Sequence, residues 1–182
     1  MKNIVYFDIE TQKSFDEVGG RTPEHLRQLR MSVGVTYSTG EQNYRIFHEG
    51  TVNQMLDQLM RADLVVGHNI ISFDYTVLSA YTPLDFAQIP TLDTLVEIEK
   101  LLKHRLSLDA LARATIGNTK TAGGLDAIRW WKEGGEASIL KIAEYCCYDV
   151  KVARLVHEYG HRHKQLHYND RFGQKRIVEV QW

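Results

Sequence analysis

Asn3-Ile4-Val5-Tyr6-Phe7-Asp8-Ile9-Glu10 begins as a β-prone run, apolar at nearly every position up to Ile9, and closes on two acids. Such a run predicts a strand buried on both faces. The polar stretch from Gln12 to Arg30, with Gly19-Gly20 inside it, predicts a surface excursion carrying a short helix after Pro23. Ser32 to Ser38 and Tyr44 to His48, split by Thr39-Gly40-Glu41, predict a hairpin. Val52 to Ala62 has apolar residues at helical spacing, and Leu64-Val65-Val66-Gly67 then gives a short buried strand. This alternation is that of an α/β sheet.

Further helical patterns span Phe73 to Tyr81, Leu95 to Leu102, Leu106 to Ile116 and Leu125 to Trp131, with Ser107 as a helix cap and a short strand at Thr91 to Asp93. The longest runs from Ala137 to His163, with Ile139, Ile142, Cys146, Val150 and Leu155 on one side, and a last strand is expected at Arg176 to Val180. The expected class is therefore α/β, a mixed sheet of about five or six strands flanked by helices. Three prolines, no internal repeat and no linker predict one domain over residues 1–182, its core reaching to about 164 and a C-terminal strand or tail following.

The chain has 182 residues, 43% hydrophobic, with 22 Lys+Arg against 23 Asp+Glu, a balance that excludes a disordered tail, a coiled coil and a collagen-like fibre. No apolar run approaches the roughly 20 residues of a membrane helix, and the run IVYF is too short for a signal-peptide core, so a cytoplasmic protein with no membrane partner is expected. Cys146 and Cys147, adjacent, suit neither a disulfide framework nor a metal knuckle and read as small core residues. The formal charge of -1 argues against holding nucleic acid by bulk electrostatics. That charge is unevenly placed, with 15 basic and 20 acidic residues over 1–150 but 7 and 3 over 151–182.

Acids embedded in apolar elements are informative, because an unpaired buried charge costs several kcal/mol. Asp8 and Glu10 end the first strand; Asp74 lies in VVGHNIISFDY, past another strand; Asp149 lies in EYCCYDV, within the long helix. Residues two apart in a strand share a face, as do Tyr145 and Asp149 four apart in a helix. Open α/β sheets bind ligands beyond strand ends. Carboxylates converging there repel one another unless cations lie among them, and hard oxygen ligands suit Mg²⁺ or Mn²⁺. Two such ions activate water, hold a phosphodiester and stabilise the leaving 3′ oxygen. Tyr145 is a poor base at its ordinary pKa, but its hydroxyl can position a water.

The ordered set FDIE, HNIISFD (Asn-x3-Phe-Asp) and YCCYD (Tyr-x3-Asp) resembles the three exonuclease motifs of the DEDD family in its tyrosine-bearing branch. The resemblance extends from Asn3 to about Val152. It implies a ribonuclease H-like fold and stepwise removal of nucleotides from 3′ ends of DNA or RNA. ETQKSFDEVGG and GGLDAIRWW resemble more narrowly the predicted bacterial and archaeal exonucleases related to family B polymerase proofreading domains, some of them associated with helicases. On that footing two divalent cations, Mg²⁺ or Mn²⁺, are the implied cofactors. Asp8 would bridge both, Glu10 and Asp149 would complete the coordination of the first ion, and Asp74 would hold the second ion, directly or through water, with Tyr145 and Glu10 orienting the attacking hydroxide. Asn69 and Phe73, the other fixed letters of the middle motif, would shape the site. The implied partners are nucleic acid with a free 3′ end and a helicase or polymerase.

Several patterns have plainer readings. Tyr81 to Asp85 repeats the Tyr-x3-Asp spacing, but Pro83 breaks the helix that would align the pair. His104-x4-Asp109 fits the histidine-bearing branch, yet Asp109 follows Ser107 closely enough to be a helix-start acid. Asp93, in PTLDTL, reads as a structural acid that bonds backbone, and His157 with His161 as a solvated helix face. Trp130 and Trp131 are candidates for one core and one base-stacking ring. Lys120 and Arg129 are candidate phosphate contacts. The rival functions are a non-catalytic nucleic-acid-binding or docking module and an endonuclease of the same fold. Two divalent cations among four carboxylates would move the formal charge from -1 to +3, so nucleic-acid binding is expected to depend on metal.

Overall fold

The computed structural model describes residues 2–117 and 123–182. The opening run forms strand β1 (Ile4–Thr11), so both acids lie inside the strand. The excursion holds helix α1 (Phe15–Val18), which was not expected, and α2 (Pro23–Gln28), which was. Ser14 and Glu17 bond each other's backbone N–H across the start of α1, and Gly19 at φ 82° ends it in the left-handed conformation that glycine adopts without cost. The hairpin follows as β2 (Met31–Ser38) and β3 (Asn43–His48), then α3 (Val52–Met60) and β4 (Leu64–Gly67). A π-helical turn over Ile70–Asp74 leads into α4 (Tyr75–Leu78). This helix stops short of the expected Tyr81, whose hydroxyl accepts from the Met31 N–H and donates to Glu49 Oε1, each at 2.8 Å, drawing the chain toward β2. The remaining elements are β5 (Thr91–Asp93), α5 (Thr94–Leu102), α6 (Leu108–Ile116), α7 (Gly124–Glu133), α8 (Glu136–His163), β6 (Gln165–Asn169) and β7 (Lys175–Glu179).

The expected mixed sheet has five strands in the order β3-β2-β1-β4-β5. β1 is antiparallel to β2 and parallel to β4, and β5 continues the parallel half. β1 lies at the centre, and its period of two sorts its side chains. Val5, Phe7 and Ile9 pack with Met55 and Leu59 of α3 and Leu78 of α4. Tyr6 packs instead with Ile142, Cys146 and Val150 of α8. The same alternation carries Asp8 and Glu10 to the α8 side, where Tyr145 and Asp149 wait. Gly67 permits the tight exit from β4, since a Cβ there would collide with Ile70 and lie 3.0 Å from the Phe7 carbonyl oxygen.

Three expectations are corrected. The last strand forms but does not join the main sheet; β7 pairs with β6, which was not anticipated. Lys164 at φ 55° turns the chain straight out of α8 into β6, and the hairpin seats Leu166, Val178 and Val180 against α6 and α8. The apolar side of α8 starts at Ile142, because Ile139 and Leu140 stand exposed in the first turn, and Leu155 is only half-buried. His157 is not on a solvated face but is buried at 4% exposure, with Nδ1 2.9 Å from the Tyr6 hydroxyl. Among the described residues no helix is long and apolar enough to cross a membrane.

Candidate active site

Asp8, Glu10 and Asp149 bring carboxylate oxygens within 4.8 Å of one another. The two strand acids come from one face of β1, and Asp149 reaches them from the middle of α8. Cys146, one turn before Val150, places its thiol 3.2 Å from the Asp8 carbonyl oxygen and 3.5 Å from Asp8 Oδ2. Burial, then the charges of Asp8, Glu10 and Asp149, push that thiol well above its ordinary pKa, so it serves as a neutral packing and donor group. The small-core reading of Cys146 is therefore incomplete, because the residue also touches the acid site.

Asp74 closes the arrangement from the other side of β1. It ends the π-helical turn, is 2% exposed, and its Oδ1 accepts the Ile9 backbone N–H at 3.1 Å, between the two strand acids in sequence. Burial, followed by the charge of Asp8, raises its pKa well above the usual carboxylate range. Tyr145 is hydrogen-bonded to Asp149, and its hydroxyl is pushed up by burial and then by Asp149, Glu10 and Asp8. Negative charge that raises Asp74, Tyr145 and Cys146 together is under electrostatic tension that a cation relieves. Hard carboxylate oxygens at this separation suit a divalent metal such as Mg²⁺ or Mn²⁺.

The middle-motif loop is held by Asp93. Its Oδ1 accepts the N–H groups of Asn69 (2.7 Å) and Leu95 (3.0 Å), and its Oδ2 that of Ile71 (2.9 Å). One carboxylate thus caps α5 and fixes the loop that delivers Asp74, in line with the structural reading of Asp93. Asn69 takes φ 70° at the head of this loop.

All five acid-site residues, with Asn69 and Phe73, line one cleft of about 470 Å³. Part of its wall is apolar: Phe15 meets Phe73 edge to face at 6.0 Å, and Leu125 and Ile128 of α7 add to the lining. Lys13, Phe15, His68 and Leu125 line the cleft without having been singled out from the sequence. Lys13 and Phe15 lie three and five residues after Glu10, a position along the chain that pointed to them; nothing marked Leu125, which stands in a helical pattern like any core residue.

The other candidates fall elsewhere. Arg129 is on the outer face of α7, 3.0 Å from Asp126 and 3.6 Å from Glu133, beside a neighbouring depression rather than in the cleft. Lys120 lies outside the described residues. Trp130 and Trp131 both pack into the core between α7 and α8, with Trp130 edge to face against Tyr145 at 6.4 Å. Asp109 pairs with Arg113 at 2.8 Å at the start of α6, as expected of a helix-start acid.

A family model described as the RNase H superfamily matches residues 5–159, a span holding every acid of the cleft. The chain belongs to the RNase H superfamily. No curated protein matches it closely enough to count as a relative. Among solved structures, it is similar to the family B DNA polymerase of the hyperthermophilic archaeon Pyrobaculum calidifontis, with a TM-score of 0.65 and 18% identity. The similarity covers 88% of this chain but only 24% of the polymerase, and at that identity it is a likeness of fold. Superfamily membership and the acid cluster together support a nuclease-type function acting on nucleic acid with divalent metal.

Proposed function

We propose that this protein is a metal-dependent 3′–5′ exonuclease of the tyrosine-bearing DEDD branch, acting through residues 1–182 as one domain. The observation that carries the reading is the convergence of Asp8, Glu10 and Asp149 within 4.8 Å, with Tyr145 bonded to Asp149 and Asp74 buried behind Asp8. Two divalent cations, held by Asp8, Glu10, Asp149 and Asp74, would supply neutralisation of the phosphate, activation of water and stabilisation of the departing oxygen.

The chain's own groups do the positioning. Tyr145 stays protonated with its O–H given to Asp149, so a lone pair of its hydroxyl accepts from the attacking water and orients it rather than deprotonating it. Glu10, on the same face of β1 as Asp8, accepts from that water. The apolar side chains of Phe15, Phe73 and Leu125 offer the terminal base a surface to pack on while the acids address its phosphate. The water oxygen bonds to phosphorus, the P–O3′ bond breaks, and the products are a nucleoside 5′-monophosphate and a strand with a new 3′-hydroxyl. A helicase or polymerase is the partner class that would present such an end.

Matched DNA and RNA oligonucleotides labelled at the 5′ end, incubated with Mg²⁺ or Mn²⁺, test the reading. A ladder of products shortened from the 3′ end is expected, with affinity for the strand rising when Ca²⁺ is added. Cleavage of a circular single strand, or no cleavage of either polymer, would overturn it.

A further inference from the structure

Arginines on this surface usually meet an acid. Arg27, Arg30, Arg45 and Arg113 each have a carboxylate oxygen within 4.0 Å. Arg105, like Arg21, Arg61, Arg162 and Arg171, has no such partner among the described residues; what sets it apart is that its Nη2 donates to Asn69 Oδ1 at 2.6 Å. Arg105 lies in the connection between α5 and α6, and His68 ties that connection to the cleft wall. The His68 Nε2–H donates to the Leu106 carbonyl oxygen at 3.1 Å, and Nδ1 meets Thr94 Oγ1 at 2.9 Å.

The Arg105–Asn69 bond has a directional consequence. A guanidinium only donates, so the Asn69 atom facing it is the carbonyl oxygen, which also accepts from Ser72 Oγ at 2.7 Å. The amide nitrogen is thereby turned the other way, as a pair of donors on a residue that lines the cleft. Asn69 cannot drift, because Asp93 holds its backbone N–H at 2.7 Å in a left-handed conformation that residues other than glycine adopt sparingly. Arg105 itself is exposed and does not line the cleft, so its remaining N–H groups stand beside the cleft wall that Asn69 forms. Planar guanidinium donors of this kind match a phosphate in shape and charge.

We infer that Arg105, oriented by Asn69, binds a phosphate of the substrate strand next to the scissile one. This rests on the exonuclease reading above and adds a residue that holds the strand without touching the reacting atoms. Backbone contacts of this type are blind to base and treat DNA and RNA alike.

The test uses single-stranded DNA and RNA of one sequence, with affinity measured against salt in Ca²⁺ and product ladders in Mg²⁺. Arg105→Gln, which can still donate to Asn69 but carries no charge, is expected to weaken both polymers by roughly tenfold and to reduce the slope of log affinity against log salt by about 0.7, the share of one phosphate on a single strand. KM rises while kcat holds within about twofold, the mark of uniform binding. Arg105→Lys restores the slope but only part of the affinity. Arg113→Ala, which breaks an ordinary surface pair, changes neither. An unchanged slope in Arg105→Gln, a fall in kcat alone, or a loss confined to one polymer would overturn the inference. If the unsubstituted protein makes no ladder yet the slope falls as stated, the exonuclease reading fails and the phosphate site survives; a ladder with no slope change removes the phosphate site alone.

Discussion

Helix α8 buries polar side chains against β1 at two places, and the two are electrostatic opposites. Toward its C-terminal end, His157 meets the Tyr6 hydroxyl at 2.9 Å, with Trp182 stacked on its ring at 6.3 Å. Burial pulls His157 down to about 4 and pushes Tyr6 up, so both groups are neutral and each satisfies the other. Two to three turns earlier, Tyr145 and Asp149 face Asp8 and Glu10, and there burial and the acids' charges push up the Tyr145 hydroxyl and the Cys146 thiol instead of cancelling. The lesson is that a buried polar residue in a helix does not by itself mark a functional site. A closed neutral pair belongs to the core, whereas charges of one sign gathered at a cleft call for a ligand of the other sign.

The largest effect should come from breaking the charged end. Asp8→Asn keeps the shape of the side chain but removes one of the clustered charges, and is expected to lower the cleavage rate by at least about 10³-fold, the several kcal/mol a metal contributes to transition-state stabilisation. Its melting temperature in EDTA should hold or rise, since a repelling charge has gone. A variant that melts lower and cleaves normally would place Asp8 with the structural pairs. Next comes Asp93→Ala, which strips a carboxylate from three well-formed backbone bonds and should cost about 3 kcal/mol, or roughly 6–12 °C in melting temperature. Activity should fall with it, because the loop delivering Asp74 loses its anchor.

The neutral end makes a prediction in pH. His157 has an ordinary value of 6.5 and is held at about 4 in the fold, so the unfolded chain binds the extra proton between those values. Its stabilising contribution is therefore complete above pH 6.5 and is lost as pH falls toward 4, by about 3 kcal/mol. Denaturant titrations of His157→Gln, which cannot titrate but still bonds Tyr6, should flatten that window. An identical acid sensitivity in both would assign the window to other groups.

The two ends of α8 were not equally legible in sequence. The acid end could be read because its geometry is local: Asp8 and Glu10 are two apart in a strand, Tyr145 and Asp149 four apart in a helix, and both spacings fix a shared face. The neutral end could not, since nothing near His157 announces that Tyr6, 151 positions away, supplies its partner. Long-range pairing also hid the Arg105–Asn69 contact, 36 positions apart. β6 escaped notice because only Leu166 of its five residues is buried, leaving no alternation to detect. The α1 turn was lost in a polar stretch whose order comes from one capping pair, Ser14 with Glu17, rather than from apolar spacing.

The smallest effect draws the finest line between the two ends, because it compares one tyrosine with another. Tyr145→Phe and Tyr6→Phe each delete a single buried hydroxyl, the first bonded to Asp149 and the second to His157. If position in the cleft is what matters, Tyr145→Phe should lower kcat by roughly 10-fold through a misplaced water while leaving stability within about 1 kcal/mol. Tyr6→Phe should do the reverse, costing about 1–2 kcal/mol by leaving the His157 nitrogen unpaired while kcat is unchanged. Both proteins keep the same ring packing, so the difference isolates the hydroxyl. Equal losses of activity in the two variants would mean that the hydroxyl at Tyr145 acts only by holding α8 on β1, and the water-orienting role would pass to Glu10 alone.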